Sequence, residues 1–166
     1  MAPSEIRDLL DELTRRLIQR GVTGSIRIGG GAAMALSYPD DPAVRATRRV
    51  DAMYEPRPEV DAVIADLARE RGLDKRWLNS NAAGWLRVIG GSPTIASFAV
   101  DVATPQELIA MKLAAGREHD LVDIATIARH LEITDASVIV DIAYEVFGED
   151  AVELPDGRQC AAIHLT

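Results

Sequence analysis

Three consecutive glycines stand between an apolar segment and a run of small residues, and they constrain the fold of this chain most strongly. The chain reads Gly29-Gly30-Gly31, with a predicted strand over 25–28 before it and a predicted helix over 32–38 after it. Without side chains at a helix N-terminus, backbone N–H groups can approach phosphate oxygens at the positive end of the helix dipole. Glycines at such a turn equally serve backbone angle or packing. The segment therefore indicates either an anion site or a tight structural turn.

The next predicted strand, over 49–54, carries the residues that bear on chemistry. Alternate residues of a strand point to one face, so Arg49, Asp51 and Met53 are predicted to project together. In two-metal phosphoryl-transfer sites, carboxylates two residues apart on such a strand hold Mg²⁺ against a triphosphate. Asp51 stands at the second of these positions, but Arg49 stands at the first, where its charge opposes a metal ion. The guanidinium can instead pair with Asp51, bind phosphate or face solvent, and Asp51 itself can be a turn or cap residue.

The remaining segments predict mixed strands and helices, followed by a helical final third. The clearest helix start is Thr104-Pro105-Gln106-Glu107, because a capping threonine precedes proline and a glutamate follows three residues after the cap. The fold class predicted is α+β (α/β-like), a small mixed β-sheet flanked by helices with a C-terminal helical bundle, in one domain over 1–166. Its predicted parts are a sheet-bearing part over about 1–102, a helical part over about 103–148 and a tail over 149–166. Further predicted helices run from the Ser4 N-cap to Gly21 and over 58–71, 105–116, 119–131 and 134–147, and candidate strands over 85–89, 95–102 and 161–165.

Composition and charge indicate a globular chain. The sequence is 48% hydrophobic and 27% charged, and no apolar run approaches the ~20 residues that cross a bilayer. The lone cysteine, Cys160, excludes an internal disulfide and suits a reducing cytoplasm. Residues 61–166 hold nine basic and seventeen acidic side chains and so supply the whole net charge of -8. We therefore expect a cytoplasmic protein without a membrane partner, whose arginines at 45, 48, 49 and 57 form a positive field around the glycines.

Two motifs, which cover roughly residues 25–131, resemble those of a known family. They read Gly29-Gly30-x-Ala32 followed by Arg45-x-Thr47-x-x-Val50-Asp51, and Leu108-x-x-Met111-Lys112-Leu113-x-Ala115-x-Arg117-x-x-Asp120-x-x-Asp123-Ile124. In this order they resemble the nucleotidyltransferase superfamily of the polymerase-β type, and most closely its AbiEii-like bacterial group. Members of that group are toxin components of toxin–antitoxin and phage-defence systems. The resemblance implies a nucleotidyltransferase fold and the transfer of a nucleoside monophosphate from a triphosphate to tRNA or protein, with Mg²⁺.

The resemblance also implies roles for particular residues. The nucleotide-binding set it implies is Gly29, Gly30, Gly31, Thr47, Arg49 and Arg117. The catalytic set is Asp51, Asp101, Lys112 and Asp120, with Asp51 and Asp101 as metal ligands. Asp101 is the candidate for the family's third carboxylate because it shares a strand face with residues 97 and 99, although it can simply end that strand. Lys112 can reach a phosphate, or it can be solvated beside an Arg117–Asp120 pair three residues apart.

Three functions are consistent with the sequence. The leading one is a nucleotidyltransferase-like protein of a bacterial toxin–antitoxin or phage-defence system that uses a nucleoside triphosphate and Mg²⁺. The alternative is a catalytically inactive member, a binding or regulatory module that acts through protein–protein contact, because Arg49 replaces an expected carboxylate. The third is an interaction protein whose acidic segment over 134–166 faces a partner and whose glycines only pack. Expected partners are the triphosphate, tRNA, an antitoxin or toxin protein, and a second copy of the chain.

Overall fold

The computed structural model of the chain describes residues 1–86, 97–152 and Leu154. Over these residues the fold is mixed α+β, with a four-stranded mixed sheet and six α-helices. No helix within the described ranges is long and apolar enough to cross a membrane. The elements, in chain order, are α1 (Pro3–Gln19), β1 (Gly24–Gly29), α2 (Gly30–Ser37), β2 (Val50–Glu55), α3 (Arg57–Arg71), β3 (Leu78–Asn79), a 3-10 helix (Asn81–Gly84), β4 (Phe98–Val102), α4 (Pro105–Ala115), α5 (Glu118–His130) and α6 (Ala136–Phe147).

The chain divides into two compact units, which we describe separately. The sheet unit comprises Met1–Asp40 and Arg45–Ala103, and the helical unit comprises Asp41–Val44 and Thr104–Thr166. The division after Ala103 falls between β4 and α4. The short segment Asp41–Val44 is an addition that the sequence did not indicate. It belongs with the helical unit because the Asp41 carboxylate accepts hydrogen bonds from Arg129 and is bonded to the His130 ring, at 2.9 and 2.8 Å.

The sheet has the order β3-β2-β1-β4, with β1 antiparallel to β2 and parallel to β4. One face is buried and apolar, as the alternation of the strands predicts. The opposite face carries polar residues of three strands, among them Arg27, Asp51 and Asp101, which are exposed or half-buried. The charged side chains of the central strands therefore lie on this face. The buried residues on the apolar face are Ile26, Ile28, Val50, Ala52, Tyr54 and Phe98.

The helical unit contains α4, α5 and α6. Its start confirms the predicted capping box, because Thr104 Oγ1 accepts from the Glu107 backbone N–H at 3.2 Å and Glu107 Oε2 accepts from the Thr104 N–H at 2.8 Å. Helix α4 ends at Gly116, whose φ is +60°. The cap of α6 is Asp135, which accepts from the Ser137 N–H at 2.8 Å, and the helix begins at Ala136, two residues after the predicted start at residue 134.

Several predicted boundaries differ from the structure. Helix α1 begins at Pro3 with Ala2 as its N-cap, so Ser4 lies inside the first turn and the predicted Ser4 cap is wrong. Trp85 follows the 3-10 helix in a turn and starts no strand, and residues 87–89 of that predicted strand lie outside the described residues. Strand β4 begins at Phe98, residue 97 before it is not in a strand, and residues 95 and 96 of the predicted strand lie outside the described residues. The predicted tail strand over 161–165 lies outside the described residues as well.

Candidate functional site

The three glycines form the junction between β1 and α2. Gly29 ends β1 in an extended conformation and serves as the N-cap, while Gly30 and Gly31 are the first helical residues. The predicted start of α2 at residue 32 was therefore two residues late. Gly30 has a φ of +58°, a left-handed conformation that side chains disfavour. The junction thus places no side chain of its own beside the backbone N–H groups at the helix start.

Two of the predicted site residues lie against these glycines. Asp51 is opposite Gly29 in the β1–β2 pairing, and a Cβ atom added to Gly30 would lie 3.2 Å from Asp51 Oδ2. A Cβ atom added to Gly31 would lie 3.6 Å from Thr47 Oγ1. We call these five residues the glycine-turn cluster. The sequence predicted that the glycines and the acid-bearing strand meet, and the structure brings them together.

The Thr47 hydroxyl is held in this cluster by hydrogen bonds to the backbone of Arg49. Its Oγ1 donates to the Arg49 carbonyl at 2.7 Å and accepts from the Arg49 N–H at 3.3 Å. These two bonds form a tight turn immediately before β2. The hydroxyl therefore shapes the loop beside Gly31, and a ligand that approaches this end of α2 would meet the Thr47 side chain.

Two features constrain Gly30, its positive φ and the nearby Asp51 carboxylate, and a comparison of two glycine substitutions separates their effects on stability. We expect Gly30→Ala to destabilise the fold more than Gly72→Ala, because both glycines have positive φ but only Gly30 lies against another residue. The φ penalty alone is about 1–2 kcal/mol, and the Asp51 carboxylate must also move away from the new methyl group. Urea unfolding of the two variants measures the difference. Equal losses would mean that the Asp51 contact with the turn does not constrain the fold.

Arg49 lies outside the strand in which it was predicted. Strand β2 begins at Val50, and Arg49 occupies an exposed bend before it. The physical reason is the pairing of β2, whose first residue is fixed by a hydrogen bond from the Val50 N–H to the Trp77 carbonyl at 2.6 Å. Arg49 consequently does not share a strand face with Asp51 and Met53, and its side chain projects from the loop.

Asp101 lies on β4, on the far side of β1 from Asp51. Asp51 is paired with Gly29, whereas Asp101 is paired with Arg27. Two strand spacings across and two residues along the sheet separate their Cα atoms by about 12 Å, and Arg27 stands in the strand between them. This spacing does not suit a metal ion held by both carboxylates, whose oxygens would each lie about 2.1 Å from Mg²⁺.

Without Asp101, the Asp51 carboxylate still suits a magnesium ion that is held mainly by phosphate oxygens and waters. Mg²⁺ often keeps several waters and is held by one or two carboxylates together with substrate phosphates. Asp51 is half-buried beside the helix start, so its carboxylate could hold one ion that arrives with a triphosphate. Such an ion would neutralise phosphate charge next to a carboxylate. Over the described ranges there is no group of three or more His, Cys, Asp or Glu side chains placed to hold a metal ion.

The other predicted site residues, Lys112, Arg117 and Asp120, meet within the helical unit. Lys112 is 6% exposed, and its ammonium donates to Asp120 Oδ1 at 3.0 Å and to the Asp123 carboxylate. Arg117 Nε donates to the other Asp120 oxygen at 2.7 Å, as the predicted spacing of three residues allows. We call these four residues the ion-pair cluster. Its two cations and two carboxylates sum to zero charge.

Lys112 connects α4 to α5 through its two ion pairs. The predicted alternative of a solvated lysine is wrong, because Lys112 is buried between two carboxylates that are 1% and 8% exposed. Its ammonium links α4 to two successive turns of α5 and would have to leave both carboxylates before it could contact a phosphate. Uncompensated charges inside a protein are costly, so the ion-pair cluster opposes that movement.

The surroundings of Asp120 lower its pKa. Burial raises the pKa of Asp120, but the hydrogen bond from Arg117 and the charge of Lys112 outweigh burial and hold it below its usual range. A carboxyl whose pKa is lower in the folded state stabilises the fold above its unfolded pKa, which is about 3.9. That contribution is lost as the pH falls through this value toward the folded pKa.

The sign of this shift predicts the acid response. We expect the stability of the wild type to fall more steeply between about pH 5 and pH 3 than that of Asp120→Asn. The variant is less stable at pH 7 because its amide cannot balance Lys112, but it has no carboxyl at position 120 to protonate. Urea midpoints at pH 7, 5, 4 and 3 measure both curves, and the other shifted carboxyls are common to both proteins. If the stability of both proteins fell equally with pH, the Asp120 carboxylate would not contribute to the acid response.

Comparison with known proteins adds no family to these observations. No family model, curated protein or solved structure matches the chain. The resemblance to nucleotidyltransferases therefore stays a prediction that rests on the two motifs. What the structure adds is the contact of Asp51 with the glycine turn and the ion pairs of Lys112.

Two residues that received no role from the sequence contribute to these clusters. Asp123 is the second partner of Lys112, and its signal was the spacing of three residues from Asp120. Asn79 is the in-register neighbour of Asp51 on β3, on the side opposite Gly29. Asn79 received no role from the sequence, because β3 is two residues long and its pairing with β2 is a tertiary contact.

Proposed function

We propose that this chain is a nucleotidyltransferase-like protein of a bacterial toxin–antitoxin or phage-defence system, and that it binds a nucleoside triphosphate at the glycine-turn cluster. The observation that carries the proposal is the position of Asp51 Oδ2, 3.2 Å from where a Cβ atom of Gly30 would stand. Backbone N–H groups at the start of α2 would bind phosphate oxygens. Asp51 would hold a magnesium ion bound to the same phosphates.

Of the two activities consistent with such a site, we propose binding without transfer as the better supported. Of the carboxylates predicted to hold metal, Asp51 alone lies at the turn, since Asp101 is separated from it by β1. Lys112 is engaged by Asp120 and Asp123. The protein would then act as a binding or regulatory module that contacts a partner protein. Transfer of a nucleoside monophosphate to tRNA or protein is the second candidate, and the contact between Asp51 and Gly30 supports it.

Titration calorimetry with ATP tests the binding site, because Asp51→Asn should change ATP affinity differently with and without Mg²⁺. In the presence of Mg²⁺ we expect Asp51→Asn to weaken binding about tenfold or more, the size of a lost charge-assisted contact. Without Mg²⁺ the same variant should bind as well as or better than the wild type, because a repulsive carboxylate is removed. Asp11→Asn, on the exposed surface of α1, is the matched control and should leave affinity unchanged.

Transfer is tested separately with labelled nucleoside triphosphate and bulk tRNA. Label that reaches tRNA or the protein itself, and that is lost in Asp51→Asn, would favour the transferase. Binding without label transfer would favour the module. Absence of any triphosphate binding would overturn both forms and favour a glycine turn that only packs. Activity gained in Arg49→Asp would show that this position alone separates the two states.

A further inference from the structure

We infer that Asn79 is the positioning residue of the glycine-turn cluster, an inference that rests on the proposed triphosphate site. Strand β3 pairs in parallel with β2 and brings Asn79 into register with Asp51. The other in-register neighbour of Asp51, Gly29, has no side chain. Asn79 therefore contributes the side chain nearest to Asp51 along this row of the sheet.

The Asn79 carboxamide is oriented by two backbone partners. Its Nδ2 donates to the Val50 carbonyl at 3.4 Å, and its Oδ1 accepts from the Asn81 N–H at 2.9 Å. The donor must face Val50 and the acceptor must face Asn81, so a carboxylate cannot replace this amide in the same geometry. The residue is half-buried, which limits exchange of these bonds with water.

The same short segment holds both polar backbone groups of Val50. The Val50 N–H donates to the Trp77 carbonyl, and the Val50 carbonyl accepts from Asn79. Trp77 is itself 1% exposed and fixed to α3, because its Nε1 donates to the Ile64 carbonyl at 3.3 Å. Val50 is thus held by an anchored segment on the sheet edge.

Asp51 follows Val50 directly, so the position of its carboxylate depends on the hydrogen bonds that fix Val50. In a two-residue strand few ladder bonds fix the register, and the side-chain bond from Asn79 supplements them at the Val50 carbonyl. Asn79 acts on the ligand through Asp51. As an amide it also leaves Asp51 as the single negative charge of the Asp51–Asn79 pair.

The test compares Asn79→Ala and Asn79→Asp with the control Asn81→Ala, whose side chain is exposed. Loss of one neutral hydrogen bond predicts ATP binding about fivefold weaker in Asn79→Ala, with and without Mg²⁺. Asn79→Asp should bind at least about tenfold more weakly, because it loses the donor and places a second carboxylate beside the phosphates. The control should bind ATP as the wild type does.

Hydrogen exchange of the amides over residues 50–52 gives a readout that needs no ligand. We expect exchange about fivefold faster or more in Asn79→Ala and unchanged exchange in Asn81→Ala. If the wild type bound no triphosphate, the proposed function would fail, and unchanged exchange would separately overturn the positioning of β2 by Asn79.

Two further outcomes would overturn the inference. A lower melting temperature with unchanged ATP affinity would make Asn79 a purely structural residue. Tighter Mg²⁺-dependent binding in Asn79→Asp would mean that position 79 contacts the bound cation directly. Weaker binding in both variants together with faster exchange supports the inference.

Discussion

Replacement of Lys112 by methionine is expected to lower the free energy of unfolding by about 3–5 kcal/mol, the usual cost of removing one partner of a buried ion pair. The change would leave Asp120 and Asp123 buried without the ammonium that contacts both. Arg117 would remain to balance one of the two carboxylates. Because whole domains are stable by only about 5–15 kcal/mol, the variant should unfold at a clearly lower urea concentration.

Two companion variants distinguish charge from packing. Lys75→Met, at an exposed position, should change stability by no more than about 0.5 kcal/mol. Adding Asp123→Asn to Lys112→Met should recover part of the loss, because it removes one of the uncompensated charges. A loss below about 1 kcal/mol in Lys112→Met, or no recovery in the double variant, would show that the ion pairs do not stabilise the helical unit.

Replacement of Gly24 by alanine should destabilise the sheet unit by about 1–3 kcal/mol or more, through overpacking against backbone. A Cβ atom added there would lie 2.1 Å from the Glu55 carbonyl oxygen and 2.7 Å from Pro56 Cδ. Neither neighbour is the end of a flexible side chain, so β1 must shift relative to β2. Because the pairing of β1 with β2 also places Gly29 opposite Asp51, the shift should weaken triphosphate binding as well.

Gly84→Ala is the matched control for this prediction, because no atom lies within 4 Å of its added Cβ position. Thermal unfolding should separate the two variants, with Gly84→Ala close to the wild type. If both variants had the same midpoint as the wild type, the close approach of Gly24 to Glu55 would not exist in solution.

Local sequence signals predicted those parts of the fold whose causes are local. The Thr104–Glu107 capping box and the end of α3 at Gly72 depend on residues within a few positions, and both are confirmed. The alternation of polar and apolar residues in β2 also gave its buried face correctly from Val50 onward. Short-range hydrogen bonding and strand geometry are sufficient for such predictions.

Features that depend on tertiary pairing could not be predicted in this way. Arg49 falls outside β2 because the Trp77 carbonyl sets where that strand begins. Lys112 is buried because two turns of α5 present carboxylates to α4, whereas the sequence shows only their spacing. The resemblance assigned Asp51 and the glycines to one site, but the neighbour on the other side of Asp51, Asn79, comes from a strand of only two residues.

The triphosphate site is tested most directly by an amide chemical-shift titration of ¹⁵N-labelled protein with a non-hydrolysable nucleoside triphosphate and Mg²⁺. We expect the largest shifts at Gly30, Gly31 and Asp51, saturating with ligand and greatly reduced in Asp51→Asn. Saturable shifts confined to other parts of the chain, or no shifts at millimolar ligand, would contradict a triphosphate site at the glycine turn.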